Sequence, residues 1–289
     1  MSIYRRLGLA LALLLLSVGC QTFVPPDREQ MQTGAETQPE EAALLRVATC
    51  WAGLPLAEQA ASALMESNHS LSIDVIPTTS ALAEQLVREG AADIALVVAN
   101  LPPNIQQQGL DQRYAPLSAR LLALDAVAVI VPKDAPLTDL SQEQMTRLFA
   151  GRVVDWSELN AGSGQPEIVV PQTATTGRAL FEQAYLSDQP LSTTALLMPH
   201  DQGIVDYVAE HPNAIGYVSA AYLDERVKTI RIDGHALTRR EITNRSYPLL
   251  SWLVLLTAPD APQEATLWQS FLVTGQGRGL LEKLYVPVR

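Results

Sequence analysis

From residue 45 onward, short unbroken apolar runs alternate along the chain with stretches in which apolar residues return every three or four positions. The runs read as strands buried on both faces, and the periodic stretches as amphipathic helices. The pattern predicts a strand over 44–49, then a helix over 56–66 with Leu56, Ala60, Leu64 and Met65 on one side. A strand over 71–76, a helix over 81–89 ending at Gly90, and a wholly apolar strand over 94–98 follow.

Further on, an apolar run over 121–131 leads into a second group of elements. Ser141 with Gln144 three residues later has the form of a capping box, and the helix it opens closes at Gly151, with Trp156 packed beneath the next turn. A strand is expected over 168–170 and a helix over 178–186. Asp201 is the expected cap of a helix with Ile204, Val205 and Val208 on its apolar face, stopped by His211, Pro212 and Asn213 before the apolar segment Ala214–Ser219. The run over 248–257 returns to the first group, and a helix near 264–272 precedes the C-terminal segment. Repeated β-α-β order with near-continuous apolar strands implies an α/β fold whose sheets are covered on both faces.

The N-terminus has a different pattern. Arg5 and Arg6 precede an apolar run over 7–16 and then Ser17, Val18, Gly19 and Cys20. That order is a secretory leader over 1–19 ending at a lipoprotein box, with Cys20 as the lipidated residue, although Ser17 stands where Leu is commonest. The run is too short to span a bilayer. Residues 20–44, rich in Pro, Gln, Thr and Glu, read as a disordered tether. The body is therefore expected outside the cytoplasm, attached to the cell membrane or an outer membrane by lipid alone.

The formal net charge is −11, and removal of the leader with Arg5 and Arg6 makes the surface more acidic still. Such a balance disfavours nucleic acid and anionic lipid as partners, while a local pocket can still bind an anion through backbone dipoles. Only two cysteines, Cys20 and Cys50, are present. With Cys20 acylated no disulfide framework exists. His69, His200, His211 and His235 lack metal-ligand spacing, and neither a phosphate-cradling Gly-rich loop nor a Gly-x-Ser-x-Gly elbow appears. Neither an enzyme activity nor a cofactor or metal is expected. Cys50 beside a helix start has a reactive reading and a plainer one as a small buried apolar residue, and the plainer one is preferred.

Three segments carry a family resemblance. Val205–Asn213 with Ala214-Ile215-Gly216-Tyr217-Val218-Ser219 and Asp233-Gly234 resembles a signature of the phosphate-type substrate-binding proteins of ABC importers. The segment from Leu148 through Phe149, Gly151 and Trp156 to Leu159 is similar to a second motif of that family, and the tail from Gly279 to a third. The resemblance covers nearly all of the chain after the tether. It implies a two-lobed type II periplasmic-binding-protein fold, each lobe a mixed sheet flanked by helices, with the ligand cleft between them. Residues 45–120 and 248–289 would form lobe 1, and 121–247 lobe 2.

The resemblance also points to the binding loops, which in the family sit at helix starts. The first falls on Cys50, Trp51 and Ala52 ahead of Leu54 and Pro55, with Cys50 and Trp51 in place of hydroxyl residues. The second falls on Ser80, in register with Gly90, Asp93 and Ile94. Asp93 is read as structural. Asn100 is the nearest polar side chain to the third, a strand end. The fourth falls on Thr175, Thr176 and Gly177, fixed by Arg178 and Phe181, and the Arg expected upstream is replaced by Pro171 or Gln172. Arg178 is read as a surface ion-pair residue. The implied function is a lipid-anchored extracytoplasmic solute receptor, monomeric, delivering a small polar or anionic solute to an ABC permease, with weakened or altered phosphate binding. The alternative is a non-transport receptor or scaffold on the same fold.

Overall fold

The computed structural model describes residues 43–172 and 175–288. The leader, Cys20 and the tether up to residue 42 lie outside the described residues, whereas Ala43, assigned above to the tether, already belongs to the first strand.

In chain order the first elements are β1 (Ala43–Cys50), α1 (Leu54–Ser67), β2 (Leu71–Thr78), α2 (Ser80–Arg88), β3 (Ile94–Ala99), α3 (Gln107–Tyr114) and the long β4 (Ser118–Pro132). Then come β5 (Asp139–Leu140), α4 (Gln142–Phe149), β6 (Glu167–Pro171), α5 (Thr176–Tyr185), β7 (Leu196–Met198), α6 (Asp201–Glu210) and β8 (Ala214–Ser219). The chain closes with β9 (Val227–Thr229), β10 (Arg231–Ile232), α7 (Arg239–Thr243), β11 (Leu250–Thr257), α8 (Gln263–Val273), α9 (Gly275–Leu284) and β12 (Val286–Pro287).

One sheet runs β2-β1-β3-β11-β4-β8-β6-β7, with β9 and β12 also paired to β4 and a separate β5-β10 ribbon. Strand β1 is parallel to β2 and β3, and β6 is parallel to β7 and β8. Between these two parallel groups lies β4. It pairs antiparallel with β11 up to Ala126, then with β8 from Val127. The return crossover lies against the same point, where the Val127 amide donates to Leu249 O and the Tyr247 hydroxyl to Val127 O at 2.9 Å. Two α/β halves are thus joined by paired crossovers, the arrangement of a hinge.

Every residue of β3 and β8 is buried, which explains why both read as unbroken apolar runs rather than alternating ones. In the first half Leu56, Ala60, Trp268, Leu272 and Leu281, from α1, α8 and α9, cover one sheet face. In the second, Ile204, Val205 and Val208 of α6 pack on Val169 and Val218.

Local chemistry fixes the element boundaries. The Ser141 capping box is present: Ser141 Oγ accepts from the Gln144 amide at 3.2 Å and Gln144 Oε1 from the Ser141 amide at 2.8 Å. Gly151 follows α4 in the left-handed region, φ 72°. Two helix starts lie one residue earlier than expected. His200, not Asp201, caps α6 through Nδ1 and the Gly203 amide, and Thr79, not Ser80, caps α2 through Oγ1 and the Leu82 amide.

Two of the motif segments meet, together with Phe181 of α5, in one place. Phe149, Phe181 and Tyr217 form an aromatic cluster, with Phe181 stacked on Tyr217 at 4.0 Å and Phe149 edge-on to Phe181 at 4.6 Å. Trp156 is buried, and its indole N–H donates to Asn213 O at 3.2 Å. Gly216 has a steric reason: a Cβ there would lie 2.6 Å from Val169 O and 2.7 Å from Ile204 Cγ2, so only glycine lets β6 and α6 approach β8 this closely.

Candidate functional site

Four helix starts face one cavity, each reached from the carboxyl end of a strand. Strand β1 ends at Cys50 and turns through Trp51–Gly53 into α1, while β2 ends at Thr78 before α2. From the other half, β6 leads to α5 and β7 to α6. The cavity between them is lined by Cys50, Trp51, Ala52, Thr78, Thr79, Ser80 and Val98 on one side and Thr175, Thr176, Gly177, Asp201 and Ser219 on the other, with Asp125 and Val127 of β4 at the hinge. Amides at the first turn of a helix point outward unpaired by the helix itself and carry its positive end, so such a convergence suits electron-rich groups on a small solute.

The two halves touch across this cleft. Thr176 Oγ1 donates to Val98 O at 2.9 Å and lies 3.2 Å from Ser80 Oγ. Ser80 Oγ donates to Val98 O at 2.9 Å and accepts from the Val98 amide at 3.2 Å. At the mouth the Tyr222 hydroxyl donates to Trp51 O at 2.7 Å, and the rings of Trp51 and His200 lie 5.8 Å apart. The enclosed space is about 30 Å³, room for roughly two water molecules.

Of the residues expected at the site, Cys50, Trp51, Ala52, Ser80, Thr175, Thr176 and Gly177 are brought together on this wall. Asn100 is not. It stands one residue beyond β3, exposed, and its side-chain amide donates to Gln183 Oε1 at 3.3 Å. Arg178 forms the expected ion pair, with Glu182 at 2.7 Å, but it is buried rather than at the surface, and its second contact is to Pro171 O at 2.9 Å. The guanidinium thus braces the strand that carries the α5 loop. Asp93 is structural, clamped by the Arg46 amide at 2.8 Å and guanidinium at 2.7 Å, which ties β3 to β1.

Sequence reasoning missed Asp125, Asp201 and Ser219 as parts of this wall. Ser219 bridges the two carboxylates: its hydroxyl donates to Asp125 Oδ1 at 2.9 Å and its amide to Asp201 Oδ2 at 3.0 Å. Burial pushes the Asp125 carboxyl up to about 7, against the Ser219 and Ala126 hydrogen bonds and with help from Asp201. It pushes Asp201 up to about 6. Cys50 is held as a thiol by burial, at about 11, which removes its reactive reading. Asp125 did leave a signal, as the single charge within the apolar run over 121–131. Among the described residues lining the cavity there is no Lys or Arg, nor is there a metal-holding group of three His, Cys, Asp or Glu anywhere in the described residues.

Two α/β halves on paired hinge strands, closing helix starts around an internal cleft, define the type II periplasmic-binding-protein fold of solute-binding proteins. Residues 34–274 match the family model described as the PBP superfamily domain, and the chain belongs to that family. The phosphate-binding protein PstS of Bacillus subtilis (strain 168) is 27% identical over 247 residues, covering 81% of this chain and 77% of that protein. A crystal structure from Clostridium perfringens, described as a phosphate ABC transporter substrate-binding protein with bound phosphate, superposes with a TM-score of 0.74 at 21% identity, over 86% of this chain and 100% of that one. An ABC-type phosphate transport receptor from Vibrio cholerae gives 0.64 at 20% identity, over 84% and 99%. These relatives are binding proteins rather than enzymes by their descriptions.

Proposed function

We propose that this chain is the extracytoplasmic solute receptor of an ABC importer, held to a membrane by lipid on Cys20, and that it binds inorganic phosphate more weakly than phosphate-specific members of its family. The observation that carries the solute-binding reading is the convergence of four helix starts, two from each half, on one cleft spanned by the Thr176 bridge. The reading of weak phosphate affinity rests on the side chains there. The described wall offers hydroxyls and two carboxylates but no guanidinium or ammonium group, and each charge-assisted hydrogen bond removed from an anion site costs roughly 1.5–3 kcal/mol. The lipid anchor rests on Arg5, Arg6, the apolar run and the small residues before Cys20, and no helix among the described residues is long and apolar enough to cross a membrane.

Titration calorimetry of phosphate into the full chain in detergent, after removal of bound solute, tests the affinity. Binding weaker than micromolar is expected, and submicromolar binding overturns the weak-phosphate reading. Mass spectrometry of the mature N-terminus tests the anchor, which falls if the chain begins elsewhere than at a diacylated Cys20.

A further inference from the structure

Asp125 and Asp201 are both nine-tenths or more buried, approach the cleft from different elements, and share one bridging residue, Ser219. We infer that an oxyanion enters this cleft together with a proton taken up by Asp125 or Asp201, so that these two side chains set the charge of the solute the cleft accepts. The inference rests on the reading of the cleft as the solute site and deepens it by naming the residues that discriminate.

The argument is electrostatic. Two ionised carboxylates on the wall of an enclosed cavity repel a third negative charge with little screening. Ser219 donates one hydrogen bond to each, and no cationic side chain among the described lining residues offsets them. Protonating one of them removes a charge and turns an acceptor-only group into a donor for the incoming oxygen. The carboxyls are already poised for this, Asp125 near 7 and Asp201 near 6, and a bound anion raises both further. The step is a transfer of one proton from solvent to a carboxylate oxygen, with no bond in the solute made or broken. A second cavity of about 190 Å³, bordered by Arg239, Glu282 and Lys283, also touches Asp125.

Other titratable groups facing the pair are accounted for. Cys50 at the end of β1, Tyr222 after β8 and Tyr285 after α9 stay neutral, burial having pushed each of them up. Glu58 on α1, with His200, borders the outer pocket beside Trp51. His200 also stands at the mouth, its ring 5.8 Å from that of Trp51, and needs its own variant.

Sulfate is the probe, because its charge is constant between pH 5.5 and 8. Calorimetry of sulfate into the solute-free full chain, in two buffers of different ionisation enthalpy, counts protons directly. At pH 8 uptake close to one proton per sulfate is expected, falling toward zero at pH 5.5, with affinity at least tenfold weaker at pH 8. In Asp125→Asn with Asp201→Asn, sulfate binds at pH 8 at least as tightly as the unaltered chain does at pH 5.5, without proton uptake. His200→Gln keeps the coupling. The inference is overturned by zero uptake in the unaltered chain at pH 8, by coupling that survives the double Asn variant, or by coupling lost in His200→Gln. It is also overturned if sulfate binds neither the unaltered chain nor the double variant. In that case a thermal shift produced by any other solute leaves the receptor reading standing, so the two failures are distinguishable. Should the double variant not fold, the proton count on the unaltered chain still decides.

Discussion

At the residue scale, the positions that matter most are those where one atom decides. Asp125 has a folded value near 7 against 3.8 for an ordinary Asp, so the folded state holds a proton that the unfolded state has released. Its contribution to stability is therefore full below pH about 4 and is lost as pH rises through 7, a difference on the order of 4 kcal/mol. Asp125→Asn, which keeps an oxygen for the Ser219 hydroxyl, is expected to flatten that decline, read as the difference between variant and unaltered chain in urea midpoints from pH 4.5 to 8. An equal decline in both would mean the carboxyl is ionised in the fold. Gly216 is the steric counterpart. Gly216→Ala forces a methyl against Val169 O and Ile204, and a loss of about 1–3 kcal/mol is expected in chemical unfolding. A variant as stable as the parent would show that β8 has room to shift.

At the element scale, much of the fold was legible because periodicity and capping act locally. Strand β3 and helix α4 follow directly from the apolar run and from Ser141 with Gln144. Ser141→Ala is expected to cost about 1 kcal/mol, and Ser141→Gly only a few tenths, by thermal unfolding; equal losses would mean that the hydroxyl bond contributes nothing. The cap of α6 was misread because Asp is the commoner cap, whereas here Asp201 turns inward to the Ser219 amide and leaves the role to His200. For α2 the misreading is a one-residue register error: Thr79 takes the Leu82 amide and frees Ser80 to bond Val98. The site was legible where it coincides with a helix start and illegible where tertiary contact makes it, since nothing local announces that Asp125 on β4 and Ser219 on β8 lie side by side. Asn100, near the cleft in sequence, does not line the cavity but is turned toward Gln183. Helices α3 and α9 were not expected at all: α3 buries only Leu110 and Tyr114 and so shows no strong apolar stripe, while Gly275, Gly277 and Gly279 weaken the helical signal of α9.

At the scale of the whole molecule, the hinge is the feature from which function follows. Strand β4 belongs to both halves and changes partner between Ala126 and Val127, beside the residue whose charge borders the cleft. A change of angle at this point would open and close the cavity that the two halves of the sheet share. The Thr176 hydroxyl is the group placed to exchange its bond to Val98 for a bond to a solute. The most direct measurement is a thermal-shift screen of small polar solutes on the full chain, repeated on Thr176→Val. A solute that raises the unfolding temperature of the unaltered chain, with affinity reduced at least tenfold in a Thr176→Val variant that folds normally, is the predicted result. A solute that stabilises both chains equally would place its site outside this cleft and contradict the account.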